Sequence, residues 1–209
     1  FAGSLVDLNR CGVPLIEIVS EPDIRSVAEA KAYLETIRSI LQYINISDCK
    51  MQEGSIRCDV NVSVHKIGEP FGTRCEMKNV NSFSAAIRGI EFEANRQIEV
   101  LENGGVIEQE TRRWDDAKGE SILMRTKENA NDYRYFPEPD LMPIHLSDEY
   151  IQNIKDNLPE LPESRKARYM NELNLPEYDA GIITSSKALS DFFEEASKAC
   201  NNPKAVSNW

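Results

Sequence analysis

The stretch Ile56-Arg57-Cys58-Asp59-Val60-Asn61-Val62-Ser63-Val64 alternates without a break. Its apolar members are Ile56, Cys58, Val60, Val62 and Val64, and its polar members are Arg57, Asp59, Asn61 and Ser63. Side chains of a strand point to opposite faces with period two, so this segment predicts a strand with one covered and one open side. A half-covered strand suits an antiparallel sheet with helices on one face. Downstream, the stretch from Thr73 to Val80 reads the same way, with Arg74, Glu76 and Lys78 on one side.

The flanks predict the covering helices. Ser26 and Glu29 form a capping box, and Val27, Ala30, Leu34, Ile37, Leu41 and Ile44 follow at helical steps. A second stripe runs through Phe83, Ile87, Ile90, Ala94, Ile98 and Leu101, and Asn103-Gly104-Gly105 stops it. Further strands are expected over Ile107 to Trp114 and Ser121 to Arg125, joined by a loop around Asp116 to Glu120. Leu15 to Val19 is a short apolar β-segment broken only by Glu17 and ended by a turn signal with Pro22. Beyond His145 the pattern is helical, with starts at Ser147, Pro162 and Ser186, and with Phe192 and Phe193 giving apolar bulk to the last helix. The reading is an α+β domain over residues 1–145, followed by the start of an all-helical domain over 146–209.

The 209 residues include 41% hydrophobic and 28% charged side chains, a normal globular balance. A net charge of -11 disfavours a general nucleic-acid surface, DNA included, because phosphate contacts need clustered Lys and Arg. Neither a leader nor an apolar run of membrane length is seen, so the expectation is a cytoplasmic piece of something longer, with no membrane partner. Five cysteines, at 11, 49, 58, 75 and 200, form no CxxC pair, which argues against a disulfide framework or a Cys-rich zinc site. Cys58 and Cys75 read as small buried hydrophobes.

The polar side of the strands is where chemistry is expected. Glu17 is flanked by Leu15-Ile16 and Ile18-Val19, where a carboxylate needs a partner. It is either ion-paired to Arg57 or Lys78, or a metal ligand. Glu76 has the same two readings, with Arg74 and Lys78 beside it. Arg57, Asp59 and Asn61 are ligand-facing groups or a solvated strand face. Lys78, Asn79, Asn81 and Ser82 lead into a helix start that holds an anion or is a plain N-cap. Arg112-Arg113-Trp114 could grip phosphate, stack on a base, or pair with Asp115 and Asp116. His65 and His145 have no suitably spaced partners. No GxxxxGK[ST], GxGxxG or GxSxG motif occurs, and no nucleophile constellation for releasing ammonia from glutamine.

Five runs carry a resemblance. They are LIEIVSEPDIR (Leu15 to Arg25), KMQEGSIRCDVNVSV (Lys50 to Val64), EMKNVNSF (Glu76 to Phe83), QETRRWD (Gln109 to Asp115) and DYRYFPEPD (Asp132 to Asp140). Together they resemble the B subunit of the bacterial and organellar Asp/Glu-tRNA amidotransferases, over essentially the whole chain. An archaeal glutamine-only relative matches less well, because it carries an inserted domain just beyond the PEPD run. Here the chain goes directly from Pro143 to the helix start at Ser147.

The resemblance implies the latter half of a glutamine-synthetase-like cradle on an antiparallel sheet, then the start of a helical domain. It implies ATP and Mg²⁺ as cofactors. As partners it implies the A subunit (a glutaminase), the C subunit and misacylated tRNA. The implied reaction phosphorylates the side-chain carboxylate of Glu-tRNA or Asp-tRNA, and ammonia then displaces the phosphate. Glu17 and Glu76 match the family's Mg²⁺-coordinating carboxylates; its other ligands would lie before Phe1. From face geometry, Arg57 and Lys78 are expected to approach ATP or the acyl phosphate, and Asp59 and Asn61 to orient metal-bound water or ligand. Asn79 and Arg112 join Lys78 as candidate cofactor contacts. The competing readings are a carboxylate-amine ligase acting on a free small acid, and a non-catalytic scaffold that guides tRNA.

Overall fold

The computed structural model describes residues 3–9, 12–126 and 139–209. Cys11 and most of the run from Asp132 to Asp140 lie outside the described residues. The predicted alternation becomes two paired strands, β1 (Cys58–Val62) and β2 (Cys75–Val80). They pair antiparallel, with Val60 opposite Met77, Asn61 opposite Glu76 and Val62 opposite Cys75. The register slips between Cys58 and Val60. Asn79 takes up the extra residue of β2 in a left-handed conformation (φ 62°), which Asn tolerates better than most side chains.

Helix α2 (Phe83–Glu102) starts at the Ser82 cap and ends where Gly104 turns left-handed (φ 77°). It returns the chain to β3 (Glu110–Asp115), and a turn leads on to β4 (Glu120–Thr126). The strand order is β1-β2-β3-β4. The outer pairs are antiparallel as expected, but β2 and β3 are parallel, so the sheet is mixed. The helical crossover is the reason: it carries the chain back along the sheet before β3 begins, as a tight hairpin would not. Among the described residues the architecture is α+β, with this four-stranded sheet and seven helices.

Helix α2 does not seat its most apolar stripe on the sheet. Its buried residues are Ala85, Ala86, Gly89, Glu93 and Gln97, whereas Ile98 and Leu101 of the predicted stripe remain exposed. Small side chains let the helix approach closely, since a Cβ on Gly89 would lie 2.6 Å from Cε of Met77. Met77 and Trp114 fill that contact with Val80, Ala85 and Ala86, and Leu34 of α1 (Val27–Tyr43) packs at the margin. The capping box at the start of α1 is present in full, the Ser26 hydroxyl accepting from the Glu29 amide and the Glu29 carboxylate from the Ser26 amide.

Beneath the sheet, Glu93 is fully buried yet charged. It accepts from Arg96 Nη2 at 2.7 Å, Gln97 Nε2 at 2.8 Å and the Ser121 hydroxyl at 3.1 Å, and Arg112 Nε lies 3.6 Å away. Burial alone would raise its pKa, but the hydrogen bonds from Arg96 and Gln97 and the two guanidinium charges outweigh it and hold the carboxyl below its ordinary range. Gln97 also donates to the Val62 carbonyl at 3.0 Å and accepts from the Val64 amide at 3.1 Å, tying α2 to β1.

The helical zone contains α3 (Asp148–Asp156), α4 (Pro162–Glu172), α5 (Glu177–Ile183), α6 (Lys187–Cys200) and α7 (Pro203–Ser207). The three predicted starts are observed, at the Ser147 and Ser186 caps and at Pro162 in a first helical turn. Helices α5 and α7, with 7 and 5 residues, are too short to show a periodic stripe. Tyr169, Leu175, Ala180, Ile183 and Phe193 form a second core. Phe193 is 3% exposed while Phe192 is 68% exposed, because adjacent helical residues point in different directions. Tyr43, at the end of α1, joins this zone to the first. Its hydroxyl donates to the Thr184 carbonyl at 2.8 Å and lies 3.2 Å from the Ser190 hydroxyl, with the Arg165 guanidinium 5.6 Å from its ring centre.

One expected element is absent. Residues 13–20 carry no strand, and Leu15, Ile16 and Val19 are largely exposed. A lone extended segment has no partner for its backbone groups.

The buried polar contacts can be tested one at a time. Glu93→Gln leaves Arg96 and Arg112 short of a counter-charge and should cost about 3 kcal/mol in denaturant unfolding. Because the folded Glu93 pKa is depressed, its contribution is complete above the unfolded glutamate pKa and is lost as pH falls through the folded value. The stability gap between wild type and variant should therefore narrow below about pH 4. Tyr43→Phe should cost about 1–2 kcal/mol by leaving the buried Thr184 carbonyl without its donor.

Candidate functional site

Helices cover one face of the sheet, and the other face carries the polar residues. On β1 these are Asp59 and Asn61, and on β2 they are Glu76 and Lys78. Asn61, Glu76, Thr111 and Arg125 are successive partners across all four strands, and Lys78 is beside Arg113. Lys78 is the centre of the charge pattern. Its Nζ is 3.1 Å from Oε1 of Glu76 and 3.4 Å from Oδ2 of Asp59. The hydrogen bond to Glu76, against an opposing burial effect, together with the charges of Asp59 and Glu76, holds its pKa above the ordinary lysine value. The buried Thr111 hydroxyl donates to the other Glu76 oxygen at 3.1 Å. Glu76 is thus the most enclosed of the three charged groups, at 17% side-chain exposure against 38% for Lys78 and 56% for Asp59.

The sheet therefore gathers Asp59, Asn61, Glu76 and Lys78, and of the two alternatives for Glu76 the Lys78 ion pair is present. Arg57 is exposed and immediately precedes β1. Asn79 is exposed in the bulge, and its amide donates to the Trp114 carbonyl at 3.1 Å. Glu17 is not on the sheet: it lies in the exposed segment 13–20 and makes no ion pair with Arg57 or Lys78.

Arg112 requires a correction, because it points to the helix-covered side. Its guanidinium donates to the Ser121 hydroxyl at 2.8 Å, the Ser121 carbonyl at 3.0 Å and Glu110 at 2.6 Å. Trp114 explains this. It is drawn into the core beside Met77, and strand alternation puts Arg112 on the same side. Applied to Arg112-Arg113-Trp114, that parity would have singled out Arg113 for the open face. Thr111 and Arg125 were also missed, because their places depend on cross-strand register.

Burial pushes both the Cys58 and the Cys75 thiols up to about 11, with Asp59 and Glu93 respectively adding to the effect. Cys75 is buried as expected, whereas Cys58 is only half-buried, and a raised thiol pKa disfavours the thiolate at both. Among the described residues, no three ligating side chains cluster as a metal site. Glu76 is a hard-oxygen donor of the type Mg²⁺ takes, but by itself it is one ligand and not a site. No described helix is long and apolar enough to cross a membrane.

The chain is 64% identical over 208 residues to the B subunit of the aspartyl/glutamyl-tRNA(Asn/Gln) amidotransferase of Caldicellulosiruptor bescii, covering 99% of this chain and 43% of that protein. It is 61% identical over 207 residues to the protein of the same name from Lachnoclostridium phytofermentans, and 58% identical over 207 residues to that of Staphylococcus haemolyticus. Each match covers 99% of this chain and 43% or 44% of the relative, so the chain spans less than half the length of these curated relatives. Residues 2–152 match the family model of the GatB/GatE catalytic domain, and with that match the chain belongs to this family.

Proposed function

We propose that the chain is the nucleotide-facing part of a tRNA-dependent amidotransferase. In this reading, ATP phosphorylates the side-chain carboxylate of glutamate or aspartate on tRNA, and ammonia from a separate glutaminase, the A subunit, displaces the phosphate. The same reading includes the C subunit as a further partner and a cytoplasmic location. It also includes a glutamine-synthetase-like cradle over residues 1–145 and a helical domain from 146. The observation that carries it is Lys78, held protonated on an open sheet face between Glu76 and Asp59, in a chain of this family.

An ionised carboxylate is a poor acyl donor because oxide is a poor leaving group, and phosphorylation removes that obstacle. Phosphoryl transfer needs fixed cations where charge collects on the transferring oxygens. Lys78 is pre-positioned for this, since its two acidic neighbours restrain an otherwise flexible side chain. Arg57 stands at the entry to β1 as a second cation for ATP or the acyl phosphate, and Asp59 and Asn61 orient ligand or water beside it. Asn79, on the same strand as Lys78, is a further candidate contact to the nucleotide. Bound Mg²⁺ would neutralise phosphate charge. Glu76 is the ligand this face offers to it, and a role for Glu17 requires segment 13–20 to reach the same face.

Lys78→Met in the full-length protein, assembled with its partners, should lower ATP-dependent amidation of Glu-tRNA about 100-fold. Glutaminase activity should stay intact; unchanged amidation would refute the role. Arg57→Ala should give a smaller loss of the same kind. In a magnesium titration of amidation, Glu76→Gln should shift the midpoint upward, whereas a scaffold that only guides tRNA would show no shift.

A further inference from the structure

Two cations of the open face take no part in the Lys78 cluster. Arg113 of β3 and Arg125 of β4 are both exposed, and neither is ion-paired to a described residue. Their places are fixed by the ladder. Arg113 is the parallel partner of Lys78, and Arg125 is the antiparallel partner of Thr111, whose hydroxyl donates to Glu76. Neighbouring strands are about 4.8 Å apart, so long side chains on adjacent and diagonal positions reach a common point. Glu76 and Asp59 both lie within ion-pair distance of Lys78.

We propose that Arg113 and Arg125 receive the phosphate oxygens of a nucleoside triphosphate lying across β2, β3 and β4 beside Lys78; this rests on the phosphoryl-transfer reading above. Guanidinium groups match phosphate bidentately, and a row of one ammonium on β2 and two guanidinium groups on β3 and β4 suits a compact polyanion. An RNA backbone would call for an extended cationic track, for which a chain of net charge -11 is ill suited. Neither the Arg113 nor the Arg125 side chain makes a hydrogen bond or ion pair among the described residues, which separates them from Arg112, whose donors hold β3 to β4 and to Glu110.

The test uses the full-length protein in its complex, with Arg113→Gln, Arg125→Gln and the two Arg→Lys variants. ATP affinity is measured by equilibrium binding, and the KM for Glu-tRNA is measured separately. Each Gln variant should weaken ATP binding about tenfold or more, as loss of a charge-assisted hydrogen bond does, with thermal unfolding and the KM for Glu-tRNA unchanged. The Lys variants, which keep charge but lose the fork, should fall between. Wild-type ATP affinity in both Gln variants would overturn this assignment alone. A raised KM for Glu-tRNA with ATP binding intact would overturn it in favour of RNA contact. Failure of the wild-type complex to bind ATP would overturn the phosphoryl-transfer reading itself.

Discussion

The structure depends on a charge buried on the side of the sheet where no chemistry is proposed. Glu93 sits on the face of α2 that meets the strands, and Arg96, Gln97, Ser121 and Arg112 converge on it. Arg96 and Gln97 belong to α2 itself, and the carboxylate gains its remaining partners only where the helix docks against Ser121 and Arg112 of the sheet. That requirement fixes the rotation and register of α2 more narrowly than apolar packing among Ala85, Ala86 and Gly89 would. It also commits one face of the sheet to the helices, leaving Asp59, Asn61, Glu76, Lys78, Arg113 and Arg125 together on the other.

The two faces use the same residue types for opposite ends. Beneath the sheet, Arg112 has its donors taken up by Glu110 and Ser121 and is 13% exposed. Above it, Arg113 one residue later is exposed and carries no such contacts among the described residues. Strand parity alone separates a guanidinium that stabilises the fold from one available to a ligand. Lys78 lies between these extremes, restrained by acids yet reachable from solvent.

Much of this was legible in the sequence, for physical reasons. Strict alternation through Cys58 to Val62 and the Ser26–Glu29 box are local signals, and both are realised. The face of α2 was misjudged because hydrophobicity marks Ile98 and Leu101, whereas close packing selects small residues and a compensated Glu93. The parallel pairing of β2 with β3 was hidden because pairing partners are a tertiary choice that alternation does not encode. Leu15 to Val19 read as strand on composition, yet a strand needs a neighbour, and residues 13–20 have none among the described residues. Of the candidate site, Asp59, Asn61, Glu76 and Lys78 were accessible from parity, whereas Thr111 and Arg125 required the register.

The central claim is the proposal that the face of the sheet opposite α2 holds the phosphates of ATP around Lys78. The most direct measurement is a structure of the full-length protein with a non-hydrolysable ATP analogue and Mg²⁺. The account predicts phosphate oxygens within hydrogen-bond reach of Lys78 Nζ, with the nucleotide on the face opposite α2. A nucleotide bound elsewhere, with Lys78 still closed between Glu76 and Asp59, would contradict it.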